Sequence, residues 1–203
     1  MMNISTDKIP LAITGDDVAL GSHLIHFWNT EEEFDRGVRF FEPAIPDETQ
    51  YCVLFGHDEA NTRVLEILRN QGHDVDAILR HGRLVVLRRE SSASETLAKI
   101  EAAFSAALQK GARAIRYLGN LGRGRNPLPG RGADDVIDLE GGASHLALRY
   151  PCIIVCMYDV STVSGALLLN AGFGTHSHAV SRGAVRENPY YRVENCGPTF
   201  CEI

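Results

Sequence analysis

The sequence predicts an α/β domain: a mostly parallel sheet with helices on both faces, finished by an antiparallel C-terminal hairpin. Three observations carry this. Residues 51–55 and 152–158 are continuous apolar runs, the pattern of strands covered on both faces. Such runs alternate with amphipathic helical stripes four or more times along the chain. Arg182-Gly183 stands between two short β-type segments, 179–181 and 184–186, as a hairpin turn would. The chain has 203 residues, 44% hydrophobic and 23% charged, which suits one domain around one core. No apolar run reaches the roughly 20 residues of a membrane helix.

The elements follow in order. Residues 1–20 are weakly patterned and read as a mobile or loosely packed lead-in; residues 21–192 form the domain and 193–203 a tail. His23 to Trp28 is the first strand of the domain. Thr30 and Glu33 make a capping box, opening a helix with Phe34, Val38 and Phe41 on one face and Pro43 near its end. The 51–55 strand meets Gly56, and a helix over about 59–71 turns Val64, Leu65 and Leu68 inward before Gly72 stops it. Residues 83–87 are a strand. Ser92 and Glu95 form a second capping box, whose helix aligns Leu97, Ile100, Phe104, Ala107 and Leu108 and ends at Gly111. Residues 114–118 are the next strand. Residues 119–132 hold five glycines, two prolines and three arginines, which predicts a flexible loop. A helix over 134–148 carries Gly141-Gly142, each costing about 1 kcal/mol relative to alanine. After the 152–158 strand a short helix covers 163–171.

Composition narrows function. Asp plus Glu is 26 and Lys plus Arg is 20, so the domain is acidic and ill suited to bind nucleic acid directly. The first ten residues lack the basic flank and apolar stretch of a secretion signal. With an odd five cysteines, this points to reduced thiols and a cytoplasmic setting, with no membrane partner.

Open parallel sheets bind ligands outside the carboxyl ends of their strands. The residues there are Trp28-Asn29, Gly56-His57-Asp58, Gly119-Asn120 and Tyr158-Asp159, joined by His176 and His178. The loop after the second strand is acidic where a phosphate loop needs glycines and a Lys-Ser/Thr pair. There is no Gly-x-Ser-x-Gly elbow, and Ser164 reads as a helix cap. His23 and His26 point to opposite faces of a strand, so only one of them can serve a given site. A metal site from one of them with His176 and Cys52 or Cys156 is open in three dimensions, but spacing does not require it, and no metal or cofactor is expected.

Together Gly21-x-His23-x-x-His26-Phe27-Trp28, Glu140, Tyr150-Pro151, Cys156-Met157-Tyr158-Asp159, Ser164-Gly165, Thr175-His176 and Asn188-Pro189-Tyr190-Tyr191 resemble the ordered motifs of the MEDS domain, over about residues 20–192. This is the methanogen and methylotroph sensory domain of the dichloromethane-responsive repressor. Ser177 departs from the proline usual after the family histidine. The resemblance implies a non-catalytic sensory domain with a RecA/KaiC-like layout and no phosphate loop. It implies a small ligand of the simple-hydrocarbon-derivative class and a signalling partner such as a histidine kinase or transcription regulator. Residues expected to hold the ligand are His23, His26, Trp28, His57, Tyr117, Tyr158, Asp159 and His176. The competing readings are a nucleotide-binding RecA-like protein without standard ATPase activity, a protein–protein interaction domain able to form a homodimer, and a metal-dependent enzyme.

Overall fold

Each central strand divides its side chains between two apolar layers, because successive residues point to opposite faces. The computed structural model describes residues 7–121 and 133–191. The strands are β1 Lys8–Pro10, β2 Asp17–Ala19, β3 Ser22–Trp28, β4 Gln50–Gly56, β5 Leu84–Leu87, β6 Ala114–Leu121, β7 Cys152–Asp159, β8 His178–Ser181 and β9 Ala184–Glu187. The helices are α1 Glu31–Val38, α2 Asp58–Asn70, α3 Val75–Arg80, α4 Ala93–Gln109, α5 Ala133–Arg149 and α6 Gly165–Leu167. A 3-10 turn, Arg39–Ala44, extends α1, and a π-helical turn, Leu168–Phe173, extends α6.

The main sheet has seven strands in the order β5-β4-β6-β7-β3-β8-β9. All neighbours are parallel except the closing β8–β9 hairpin. Leu24, Leu54, Leu118 and Val155 pack with α1, α2 and α3 on one face. Ile25, Val53, Ile115 and Ile154 pack with α4 and α5 on the other. The expected fold class is therefore found, with helices on both faces. No described helix is long and apolar enough to cross a membrane.

Three local expectations are corrected, and one element is added. Residues 7–20 are not loosely packed: β1 and β2 form a separate antiparallel pair, and Leu11, Ile13, Val18 and Leu20 join the core. Arg116 explains the anchoring. It is fully buried in β6 and donates to the carbonyl of Pro10 at 2.8 Å, the carbonyl of Phe40 at 3.0 Å and Oε1 of Gln50 at 2.7 Å. Gly119, Asn120 and Leu121 belong to β6 rather than to a loop, because pairing with both β4 and β7 continues through them. Leu108 is exposed, one position off the α4 stripe. The helix α3 was not expected; Asp74 caps it by accepting from the backbone N–H of Ala77 at 2.9 Å. The remainder of the glycine-rich segment, 122–132, and the tail lie outside the described residues.

Gly142 does more than weaken α5. A Cβ there would overlap the side chain of Leu97, so the glycine lets α5 approach α4. At the β8–β9 turn both Arg182 and Gly183 have positive φ, 51° and 77°, the requirement of the tightest hairpins.

Candidate functional site

Two features stand out, one at the strand ends and one between the sheet and α5. The first is a crevice of about 260 Å³ lined by Phe55, Gly56, His57, Asp58, Arg88, Arg89, Asn120 and Leu121. Its position follows from chain direction. After β4 the chain enters α2 on one face of the sheet, and after β6 it reaches α5 on the other, although β4 and β6 are neighbours. Diverging connections leave a gap at the carboxyl ends, which is a topological switch point. Asn61 braces the wall, its Nδ2 donating to the carbonyls of Gly56 and Leu87 at 3.1 and 3.2 Å. His57 is the N-cap of α2, its Nδ1 accepting from the N–H of Ala60 at 3.4 Å. Arg88 pairs with Asp58 at 2.6 Å and Arg89 pairs with Asp135, so both guanidinium groups already face carboxylates. Asn120 is 2% exposed, and neither Nδ2 nor Oδ1 has a hydrogen-bond partner among the described residues.

The second feature is a buried polar cluster between the sheet and α5. His23 of β3 and Cys156 and Tyr158 of β7 point to the α5 face by strand alternation, and Glu140 and Ser144, one helical turn apart, face them. Oε1 of Glu140 accepts from the Tyr158 hydroxyl at 2.7 Å, and Oε2 from the Cys156 thiol at 3.2 Å. Oε2 also lies 3.3 Å from Nε2 of His23 and 3.4 Å from Nε2 of His176. The two imidazole rings sit 3.9 Å apart.

Their tautomers are set by the surroundings. Nδ1 of His176 faces the carbonyls of Gly172 at 2.7 Å and Ala171 at 3.3 Å, which only accept, so that nitrogen carries the hydrogen. The π-helical turn supplies both carbonyls. Ser144 Oγ stands 2.6 Å from the carbonyl of Thr175 and must donate there, so it accepts from Nδ1 of His23 at 2.9 Å. Both Nε2 atoms are thereby left as lone pairs aimed at Glu140. Burial pushes the pKa of His23 and of His176 down to about 3, so both rings are neutral; the same burial, with the nearby Glu140 charge, pushes the Cys156 thiol and Tyr158 hydroxyl up. Asn188 holds the His176 loop through bonds of 2.7 Å to the carbonyls of Phe173 and His176.

The expected site residues therefore separate. His23, Tyr158 and His176 meet in the cluster, and Tyr117 borders it with Glu140 and Cys156 around a narrow void. His57 lines the crevice. His26 is on the opposite face, 3.0 Å from the carbonyl of Glu33, and Trp28 packs edge-on to Phe34 there. Asp159 accepts from the backbone and hydroxyl of Ser161, shaping the turn after β7. Glu140, Ser144 and Cys156 complete the cluster although they stood outside the expected ligand set. One pattern in the sequence marked Glu140: it interrupts the stripe Val136, Ala143, Ala147 on the buried side of α5.

A seven-stranded, mostly parallel sheet with diverging helices and a crevice at its carboxyl ends defines an open α/β domain of the doubly wound kind. Within that class, the family model of MEDS, the methanogen/methylotroph DcmR sensory domain, matches residues 22–177, and the chain belongs to this family. Membership gives the chain a sensory or signalling role in kind. No curated protein matches the chain.

Proposed function

We propose that this domain is a non-catalytic sensor that binds a small organic molecule in the crevice at the ends of β4 and β6 and passes the event to a protein partner in the cytoplasm. The observation that carries this reading is Asn120. A buried amide with both polar atoms unpaired among the described residues costs about 1–3 kcal/mol per group. A ligand offering one donor and one acceptor beside an apolar body would satisfy it, with Phe55 and Leu121 as apolar wall. The acidic first turn of α2, Asp58 and Glu59, disfavours the nucleotide alternative, because it sets negative charge where phosphate would approach. Membership of a sensory family supports a signalling partner of this kind, a histidine kinase or transcription regulator.

The test titrates acetamide, acetate, methanol and dichloromethane into the protein while the amide NMR signals of Gly56, Asn120 and Leu121 are followed. At least one probe is expected to shift these signals, and Asn120→Ala to weaken that probe about tenfold or more, since two hydrogen bonds are lost. Shifts confined to other regions, or an unchanged affinity in Asn120→Ala, would remove the crevice from the reading.

A further inference from the structure

We infer that His23, Glu140, Cys156 and His176 bind one divalent ion of the late first transition row, Zn²⁺ or Fe²⁺ in kind, at a buried site separate from the crevice. The four ligating atoms all lie within 4.8 Å of one another, and every one of the four residues is buried. Four ligands at about 2.0–2.3 Å from a zinc ion stand roughly 3.3–3.7 Å apart in a tetrahedron. Four of the six pairs here are close to those edges. They measure 3.2 Å from Cys156 Sγ to Glu140 Oε2, 3.3 Å from His23 Nε2 to each of those atoms, and 3.4 Å from His176 Nε2 to Glu140 Oε2.

Two further observations point to a cation. Nε2 of His176 is buried and makes no hydrogen bond among the described residues, yet it is aimed at the carboxylate. With Nδ1–H engaged at backbone carbonyls or through Ser144, both imidazoles present lone pairs to a carboxylate oxygen. Three acceptors converging around one thiol hydrogen repel one another, and a positive ion reverses the sign of every contact. Carbonyl partners on the far ring nitrogens are the usual orienting groups of metal-binding histidines, and here Gly172 supplies one directly. The donor set, two nitrogens, one sulfur and one oxygen, selects zinc, cobalt or ferrous iron over magnesium or calcium, which take oxygen ligands. Binding would release the Cys156 proton to solvent. The void bordering Glu140 and Cys156 is about 10 Å³, about one water, so at most one small further ligand fits beside the ion.

The experiment strips the full chain with chelator, then titrates Zn²⁺ against a chromophoric competitor and Co²⁺ by absorption. One equivalent of each should bind, Co²⁺ giving the ligand-field bands of four-coordination and a thiolate charge-transfer band. Cys156→Ser should abolish that band, and His176→Ala should weaken Zn²⁺ by about 100-fold or more, beyond the 10–100-fold of lost supporting contacts. His57→Ala, in the crevice, should bind metal as the native chain does, so this result is separable from the ligand reading. X-ray absorption of the zinc-loaded native chain needs no variant; one sulfur at about 2.3 Å with lighter ligands at about 2.0–2.2 Å is expected. No stoichiometric binding by the folded chain, a charge-transfer band that survives Cys156→Ser, or a shell with no sulfur or more than one would each overturn the assignment.

Discussion

At the scale of the residue, burial and partner geometry decide what each histidine does. His26 lies against the carbonyl of Glu33, near the Glu33 carboxylate and the Arg36 guanidinium, and burial lowers its pKa below the ordinary 6.5. A lowered folded-state value means the unfolded chain binds more protons. The stabilising contribution of neutral His26 is therefore complete above pH 6.5 and is lost as pH falls through that value toward the folded one. The melting temperature should drop between pH 7.5 and pH 5, and drop less in His26→Gln, whose amide can still donate to Glu33. Parallel pH profiles in the two proteins would show that His26 takes no part. The sequence separated His23 from His26 correctly, since strand alternation sends residues three apart to opposite faces. It did not show that His23 and His176 would meet, because 153 positions of chain separate them and only the β3–β8 pairing brings them together.

At the scale of the element, capping was legible and helix-to-helix contact was not. Thr30 and Ser92 accept from the N–H groups of Glu33 and Glu95 at 3.2 and 3.1 Å, as the capping pattern required. Gly142 read as a weakness of α5, whereas its role lies in the neighbouring α4. Alanine at this position would gain about 1 kcal/mol of helix propensity but would press on buried Leu97. We expect Gly142→Ala to cost about 1–2 kcal/mol net, within the range of overpacking, as measured by urea denaturation. In a Leu97→Ala background the same change should become neutral or stabilising. A stabilised single variant would mean that α4 and α5 stand farther apart.

At the scale of the whole molecule, Arg116 ties β6 to three segments distant in sequence: the N-terminal pair of strands, the 3-10 turn and β4. The guanidinium also lies 5.1 Å over the Phe40 ring. Arg116→Met removes its charge but strands three acceptors, so a loss of about 3 kcal/mol or more is expected. Hydrogen exchange should rise in residues 8–19 before it rises in β6 and β7. Equal protection of that segment in the variant would show that its apolar contacts suffice. Nothing in the pattern of residues 1–20 announced this attachment, because its apolar side chains follow no helical or strand period and its polar link is one long-range bond from β6.

The sequence by itself determined the alternation of strands and helices, the closing hairpin and the family, since periodicity, caps and ordered motifs are local properties of the chain. It also marked the strand ends, Asn120 among them, as the place to look, because a parallel sheet exposes only those ends to ligands. Only the tertiary structure decided which polar residues share a site. Glu140 reaches His23, Cys156 and His176 because β3 and β7 are neighbours beneath α5, and neighbour order depends on the packing of every connection at once. A side chain's chemistry is set by the atoms within a few ångströms of it, and in this fold most of those atoms come from elements far away along the chain.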